Sequence, residues 1–289
     1  MSAGMWKALA LALLVAASLG IAAGWTRMSQ TWDEPGHIAT GIEWLEGGPY
    51  SMWTETPPLA RIGAGLFVWL DGARLPAQGH DRQAIERDMW VAYELGNRIL
   101  WETADYPRRL ALARAGTLLF LWLAAFALWR VSRAAGEAAA FLAISSFVTL
   151  PGILAHSGLA TTDIGFCALA LVFVWRLVRW LDLGDARSAV LMGFAAGAVT
   201  GTKFWSFIFI PAAIAGFGLA WASQARTTPT LFAERISRRL RSAPAVAFAA
   251  LVTVWALYRF SWGTIAGFPG FMGDLTIVDP SRGDMQGVI

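Results

Sequence analysis

Cysteine is nearly absent from this sequence, and the single one, Cys167, lies inside an apolar block. One cysteine excludes a disulfide within the chain and any cysteine-based metal cluster, and its simplest interpretation is a small buried hydrophobe. Charge is also scarce, since charged residues make up 15% of the chain and hydrophobic residues 56%. That balance lies outside the range of soluble domains. We therefore expect membrane lipid to be part of the solvent of this protein.

The basic residues do not form the patch that a nucleic-acid-binding protein needs. The formal net charge is only +3, and the arginines gather at the ends of apolar blocks. In such places basic residues report membrane orientation. We expect no nucleic-acid partner.

The apolar residues fall into blocks that can be compared with the roughly 20 residues a helix needs to cross the hydrocarbon of a bilayer. Seven blocks are candidates, at 5–24, 110–129, 138–154, 164–181, 189–202, 204–222 and 245–260. The sequence therefore predicts an all-α integral membrane protein, one domain over 1–289, with about seven transmembrane helices. The first block could instead be a secretory signal peptide. Its long apolar run and the poor cleavage site before Trp25 favour a retained helix.

The fifth and sixth blocks are short, and the fifth is rich in glycine. Gly193, Gly197 and Gly201 recur every four residues. Small residues at this spacing let membrane helices approach closely. We expect a neighbouring helix to pack against this glycine face.

A mixed segment, 25–109, separates the first two blocks and contains proline, glycine, tryptophan and charges. Amphipathic stretches occur at 38–45, 59–70 and 82–101, and the last has the spacing of a helix lying along the membrane surface. The sequence predicts a folded loop with juxtamembrane helices.

Short loops indicate how the spans are oriented. With seven spans, one side carries a set of arginines: Arg130, Arg133, Arg176, Arg179, Arg187, Arg226, Arg235, Arg238, Arg239 and Arg241. An excess of basic residues marks the cytoplasmic side. We therefore expect a multi-pass protein of the cell (inner) membrane with a cytoplasmic N-terminus. The 25–109 loop, the 156–163 turn, Lys203 and the 261–289 tail then face outward.

Two adjacent carboxylates, Asp33 and Glu34, follow the first span in the segment 31–37, which reads TWDEPGH. Ionisable residues so close to hydrocarbon are costly unless they have a function or a partner. The structural alternative is helix capping by Asp33, with Glu34 and Pro35 in the first turn. Capping and catalysis are compatible, so both remain open.

Two further carboxylates precede apolar helices on the same outward side. Glu55 stands just before Pro57 and Pro58, which hold the backbone extended and start a helix, although an ordinary loop glutamate would fit too. Asp163 begins an apolar helix, where it or Thr162 could simply act as a cap.

Lys203 is a lone cation between two short apolar helices. Its ammonium group either reaches the interface by snorkelling or meets an anion, and a phosphate substrate would need such a cation. Arg27, Arg61 and Arg259 are further outward cations, which we interpret as structural or lipid-facing.

Four motifs in order resemble the GT-C membrane glycosyltransferases, and more narrowly the protein O-mannosyltransferase and aminoarabinose transferase branch, which is glycosyltransferase family 39-like. They are Asp33-Glu34-Pro35-Gly36-His37, Glu55-x-Pro57-Pro58-Leu59, Leu159-Ala160-Thr161-Thr162-Asp163 and Gly197-x-x-x-Gly201-Thr202-Lys203-Phe204. The resemblance covers the chain from Met5 to Phe260.

The resemblance implies transfer of a sugar from a polyprenyl-phosphate donor to a protein, lipid or glycan acceptor on the outer face. Asp33 would be the general base, with Glu34 beside it as the second catalytic carboxylate. The implied substrate-binding residues are His37, Glu55, Asp163 and Lys203, with Lys203 on the carrier phosphate. A carboxylate for the acceptor proton and a cation for the leaving phosphate also make chemical sense without the family.

Two departures from the family pattern limit what is carried over. Relatives usually extend well beyond this length, so the chain could be a truncated form. A lysine follows the glutamate in the aminoarabinose branch, whereas here the position is Thr56, which disfavours that sugar. No cofactor is implied with certainty, although a divalent cation is compatible with carboxylates that meet a phosphate.

The other readings are a transporter or lipid flippase, and an inactive relative that only binds the carrier lipid. Transporters place polar groups inside several spans near the midplane. Here the spans are apolar and the charges lie in outward loops. An enzyme is therefore the preferred interpretation.

Overall fold

The apolar blocks form long helices in the computed structural model, which describes residues 2–48, 50, 52–76, 89–102, 105–224, 229–261, 264–268 and 273–278. The α-helices of these residues are α1 (Ala3–Gly24), α2 (Glu34–Leu45), α3 (Leu59–Leu70), α4 (Met89–Trp101), α5 (Tyr106–Ser132), α6 (Glu137–Thr149), α7 (Pro151–Ser157), α8 (Asp163–Leu183), α9 (Ala186–Thr200), α10 (Ser206–Gln224) and α11 (Pro229–Leu257). A short 3-10 turn, Arg133–Ala135, follows α5.

Five helices in the described part of the chain are long and apolar enough to cross a membrane. They are Ala3–Gly24, Tyr106–Ala135, Asp163–Leu183, Ser206–Ser223 and Phe232–Leu257. The predicted third span is instead a pair, α6 and α7, bent by 67°, where Pro151 begins the second helix. The predicted fifth span forms α9, which has only 15 residues. The membrane character expected from composition is thus supported, with five candidate spans, or six if the bent pair counts as one.

The amphipathic stretches of the 25–109 loop form helices where they can be described. Stretches 38–45 and 59–70 lie in α2 and α3, and the end of the third stretch forms α4. Residues 82–88 of that stretch lie outside the described residues.

The segment after α11 contains two antiparallel strands, β1 (Thr264–Phe268) and β2 (Gly273–Val278). Thr264 pairs with Val278 and Phe268 with Gly273. The predicted outward tail at 261–289 therefore includes a β-ribbon, and its other residues beyond Ser261 lie outside the described residues.

The glycine face predicted on the fifth block packs against α11. A Cβ added at Gly193 would lie 2.6 Å from the Ala249 Cβ, and one added at Gly197 would lie 2.5 Å from the Thr253 Cβ. At Gly201 it would overlap Leu257. The expected close approach of a neighbouring helix is confirmed, and the partner is α11.

Close glycine contacts also join the helices of the loop region. A Cβ at Gly65 of α3 would lie 2.8 Å from the backbone carbon of Gly41 in α2. A Cβ at Gly116 of α5 would overlap the Gly63 carbonyl oxygen. Because side chains are absent at these crossings, α2, α3 and α5 meet backbone to backbone. This packing holds the first turns of α2 and α3 beside α5.

The arginine-rich segments gather at one end of the helix bundle. The Lys7 ammonium near the start of α1 lies 3.9 Å from the Glu137 carboxylate at the start of α6. Arg239 of α11 donates to the Leu181 carbonyl at the end of α8 over 3.0 Å. The α1–α2 loop, the 158–162 turn and the 201–205 turn lie at the opposite end, where the candidate site residues are found.

Candidate functional site

A buried ion pair between Glu34 and Arg114 anchors this end of the protein. Both side chains are 0% exposed, and Arg114 donates from Nε to Glu34 Oε1 over 2.8 Å and from Nη2 to Oε2 over 2.9 Å. The backbone N–H groups of Thr31 and Ala160 donate to the same carboxylate over 2.7 and 2.8 Å. Arg114 also donates to the carbonyls of Trp25, Met28 and Ser29.

This network explains how a charged pair is tolerated in the protein interior. A buried ion pair is costly unless further hydrogen bonds satisfy its remaining donors and acceptors. Here those bonds come from the α1–α2 loop and from the 158–162 turn, which are distant in sequence. The Glu34–Arg114 pair therefore joins α2, α5 and the turn before α8. Since Glu34 is enclosed, it positions the site, and contact with a substrate would require displacing its partners.

Asp33 precedes Glu34 but points to a different environment. Its side chain is exposed and forms no capping hydrogen bond to α2. Instead its Oδ1 accepts a hydrogen bond from the Tyr93 hydroxyl of α4 over 2.9 Å. Burial, followed by the hydrogen bond to Asp33, raises the pKa of Tyr93 to about 12. Tyr93 therefore remains a donor near neutral pH, and the capping alternative does not account for the Asp33 carboxylate.

Exposed tryptophans flank this carboxylate. Trp32 and Trp90 are both exposed and meet edge to face, with ring centroids 5.9 Å apart. Tyr93 contacts both of them and also the Trp53 ring. Indole side chains with one wet face are typical of membrane–water interfaces. Asp33 thus lies at an aromatic surface that a lipid-linked molecule could approach.

Asp163 and Lys203 form a second charged group at the same end. Lys203 Nζ donates to Asp163 Oδ1 over 2.6 Å, and His156 Nδ1 lies 3.4 Å from Oδ2. The Asp163 side chain is 42% exposed. Thr162 occupies the cap position of α8 without a side-chain cap bond. The Lys203 cation therefore meets an anion, which is the second of the two interpretations of its sequence position.

His37 is buried on α2 between an arginine and an aromatic ring. Its Nδ1 accepts a hydrogen bond from Arg61 Nε over 3.1 Å, and its ring stacks on Trp53 at 4.8 Å. Burial, then the positive charges of Arg61 and Lys203, hold the pKa of His37 well below its usual value. His37 is therefore neutral near pH 7, and the proton is assigned to Nε2 because Nδ1 is the acceptor.

Arg61 is fully buried at 0% exposure, so of its two interpretations, structural or lipid-facing, the structural one applies. Its Nη1 donates to the Tyr50 hydroxyl over 3.0 Å and to the Trp53 carbonyl over 2.7 Å. Tyr50 and Trp53 have φ angles of 55° and 49°, a strained conformation for side-chain-bearing residues. Arg61 Nη2 is buried without a partner among the described residues. The close crossing of α2 and α3 places the Arg61 backbone against α2, because a Cβ added at Gly41 would overlap the Arg61 carbonyl oxygen.

Glu55 lies apart from these networks. Its side chain is exposed in the strained loop, and no described residue binds its carboxylate. Arg259, in contrast, has the structural role expected of it, because its guanidinium lies 4.5 Å from the Trp44 ring and donates to the Trp44 carbonyl.

The predicted residues other than Glu55 are therefore connected, partly through partners that the sequence did not indicate. Glu34 binds the turn that leads to Asp163, and Lys203 joins Asp163 directly while acting electrostatically on His37. Asp33 is linked to this group through Tyr93 and Trp53. Arg114 could have been found, since an arginine inside an apolar block signals a buried partner. Nothing in the sequence singles out Tyr93.

The Asp163 carboxylate and the His156 ring lie close together at this end. Within the described residues, however, no group of three or more His, Cys, Asp or Glu side chains is arranged to hold a metal ion. The cations of the site are provided by Arg61, Arg114 and Lys203.

The described residues define an all-helical protein, apart from one β-ribbon, whose apolar helices can cross a membrane and whose charged residues form linked networks at one end. No protein-family profile, curated protein or solved structure matches this chain.

Proposed function

We propose that this protein is a membrane glycosyltransferase that moves a sugar from a polyprenyl-phosphate donor to an acceptor on the extracytoplasmic face, with Asp33 as the general base. The observation that carries the proposal is the contrast between two neighbouring carboxylates. Glu34 is locked in a buried ion pair, whereas Asp33 is exposed and held by Tyr93 at an aromatic surface. A rigid anchor beside an accessible carboxylate suits a base that must be positioned.

In the proposed step, Asp33 takes the proton of an acceptor hydroxyl or amine. The acceptor atom forms a bond to the anomeric carbon, and the bond from that carbon to the phosphate oxygen breaks with its electron pair going to the phosphate. This single displacement inverts the anomeric centre. Tyr93 orients Asp33 through Oδ1, and Oδ2 has no partner among the described residues, so it can receive the proton.

Lys203 stabilises the leaving phosphate. In the structure its ammonium is paired with the partly exposed Asp163. An anionic phosphate of higher charge can compete with that carboxylate for the ammonium, and a cation near developing negative charge lowers the barrier. Asp163 and His156 then hold Lys203 in place between turnovers. Neutral His37 and exposed Glu55 contribute to binding of donor and acceptor.

The proposed topology places this site outside the cell membrane and the arginine-rich end in the cytoplasm. The five long helices and the bent α6–α7 pair account for six crossings. The short α9, packed along α11 by its glycine face, is the seventh. The N-terminus is then cytoplasmic, as the arginine-rich segments favour.

A first experiment identifies the donor class. The full chain is purified in mild detergent, and copurifying lipid is analysed by mass spectrometry. Undecaprenyl phosphate is then titrated onto wild type and onto Lys203→Met in native mass spectrometry. We expect Lys203→Met to bind this lipid about 10-fold more weakly, which is the effect of losing one charge-assisted hydrogen bond. If wild type and Lys203→Met bind undecaprenyl phosphate equally well, Lys203 does not contact the phosphate.

The second experiment tests catalysis with Asp33→Asn and the matched control Glu102→Gln. Glu102 is an exposed carboxylate on the same loop, paired with Arg98. Both variants are supplied with undecaprenyl-phosphate-linked hexoses and pentoses, and release of undecaprenyl phosphate is measured. We expect Asp33→Asn to lose roughly 100-fold or more in rate, and Glu102→Gln to match wild type. Unchanged turnover in Asp33→Asn would reject this base, and lipid movement across the bilayer without sugar transfer would favour a flippase.

A further inference from the structure

A cluster of four arginines lies at the end of the bundle opposite the candidate site. Arg130 comes from α5, Arg176 and Arg179 from α8, and Arg187 from α9. The guanidinium carbons of Arg130 and Arg176 lie 4.6 and 3.8 Å from the centre of the same ring, that of Trp175. Arg130, Arg179 and Arg187 are all close enough to repel Arg176 electrostatically.

None of the four arginines forms an ion pair with a described residue, whereas the nearby Arg133 and Lys7 share Glu137. Asp185 lies near Arg179 and Arg187, but its Oδ1 accepts from the Ser188 N–H over 2.7 Å as the cap of α9. Four guanidinium groups held together with one nearby carboxylate, and none of them ion-paired within the described residues, are suited to bind an external anion, which can accept several of their donors.

The depth of the cluster indicates where the anion comes from. The helix α8 is a candidate membrane span of 21 residues, about 30 Å long at about 1.5 Å per residue. Arg176 lies about two turns before its end, and Arg179 lies about one turn before its end. The cluster therefore lies near one end of this span, where the acyl chains of a bilayer about 30 Å thick would meet the headgroups. The anions found at that level are lipid phosphates.

An exposed apolar stripe leads along α5 to the cluster. Leu119, Trp122 and Phe126 are 52%, 37% and 49% exposed and follow one another at helical spacing toward Arg130. Phe126 also contacts the Trp175 ring edge to face at 5.5 Å. Because the stripe ends at the arginines, a single lipid molecule could place its phosphate at the guanidinium groups and its acyl chain along the stripe.

We propose that the Arg130–Trp175–Arg176 cluster, with Arg179 and Arg187, is a binding site for an anionic phospholipid whose phosphate meets the guanidinium groups and whose acyl chain lies along Leu119–Phe126. The site is separate from the proposed transfer site and does not depend on it.

The test uses the full chain in detergent after delipidation. Phosphatidylglycerol and phosphatidylcholine with identical acyl chains are titrated separately, and bound lipid is counted by native mass spectrometry. The test variant is Arg130→Gln with Arg176→Gln. The control, Arg98→Gln with Arg108→Gln, removes two arginines that pair with Glu102 and Asp71 at other positions. We expect the test variant to bind phosphatidylglycerol about 10- to 30-fold more weakly, and the control to retain wild-type affinity.

Three further measurements distinguish loss of lipid binding from loss of folding and from binding of free phosphate. Arg130→Lys with Arg176→Lys retains the charge and is expected to keep most of the preference for phosphatidylglycerol, and circular dichroism identifies any variant that fails to fold. Glycerol phosphate in excess should not displace the lipid. Equal affinity of wild type and test variant for phosphatidylglycerol, equal binding of both lipids to wild type, or full displacement by glycerol phosphate would each overturn the proposal.

Discussion

Replacing Arg114 with methionine is expected to destabilise the protein far more than removing an exposed arginine. The substitution keeps much of the side-chain volume but leaves the Glu34 carboxylate, 0% exposed, without its two guanidinium hydrogen bonds. Breaking a buried pair from one side costs about 3–5 kcal/mol, because the remaining charge is buried without compensation. For a chain of this size that corresponds to a fall of roughly 10 °C in Tm.

The double variant Glu34→Gln with Arg114→Met isolates the interaction. If the cost of the single change comes from the stranded carboxylate, neutralising it should recover part of the loss. Glu34→Gln alone strands the guanidinium and should also be destabilising. We expect the sum of the two single-variant losses in unfolding free energy to exceed the loss in the double variant by at least about 2 kcal/mol.

The assay is thermal unfolding of purified protein in one detergent, followed by circular dichroism and by intrinsic tryptophan fluorescence. The matched control is Arg98→Met, which breaks the exposed Arg98–Glu102 pair and should cost less than about 1 kcal/mol. Two outcomes would refute the anchoring role of the Glu34–Arg114 pair. One is that the losses in the two single variants add up to the loss in the double variant. The other is that Arg114→Met lowers Tm no more than Arg98→Met does.

Three further outcomes follow from the structure. Folding lowers the pKa of His37, so below about pH 6.5 the unfolded state binds a proton that the folded state does not bind. The free energy of unfolding should therefore fall on acidification, by at most about 1.4 kcal/mol per pH unit. In His37→Gln, Tm should depend less on pH over this range. Gly197→Ala should cost about 1–3 kcal/mol by overpacking, whereas Gly216→Ala, whose added Cβ has nothing within 4 Å, should not lower Tm. Tyr93→Phe should slow transfer roughly 10-fold by freeing Asp33, and unchanged turnover would exclude Tyr93 from orienting it.

The candidate site was only partly predictable from the sequence. The segment around Asp33 and the positions of Asp163 and Lys203 attract attention because charge beside hydrocarbon is costly. The same argument left open whether the Lys203 ammonium snorkels or meets an anion, and it did not identify Asp163 as that anion. The roles of Asp33 and Glu34 do not follow, because adjacent residues at a helix start can point to solvent or to the interior, and the direction depends on what packs there.

The sequence by itself determined that the chain has apolar helices long enough to cross a membrane and where most of these helices lie. Hydropathy over about 20 residues is a local property, and a helix satisfies its own backbone in lipid whatever its neighbours are. Only the tertiary structure decided that Arg61 is buried, that Arg114 reaches Glu34 and that Tyr93 holds Asp33. The Arg114–Glu34 and Tyr93–Asp33 contacts join residues 80 and 60 positions apart, and Arg61 is buried by other helices and loops, so no single segment specifies them.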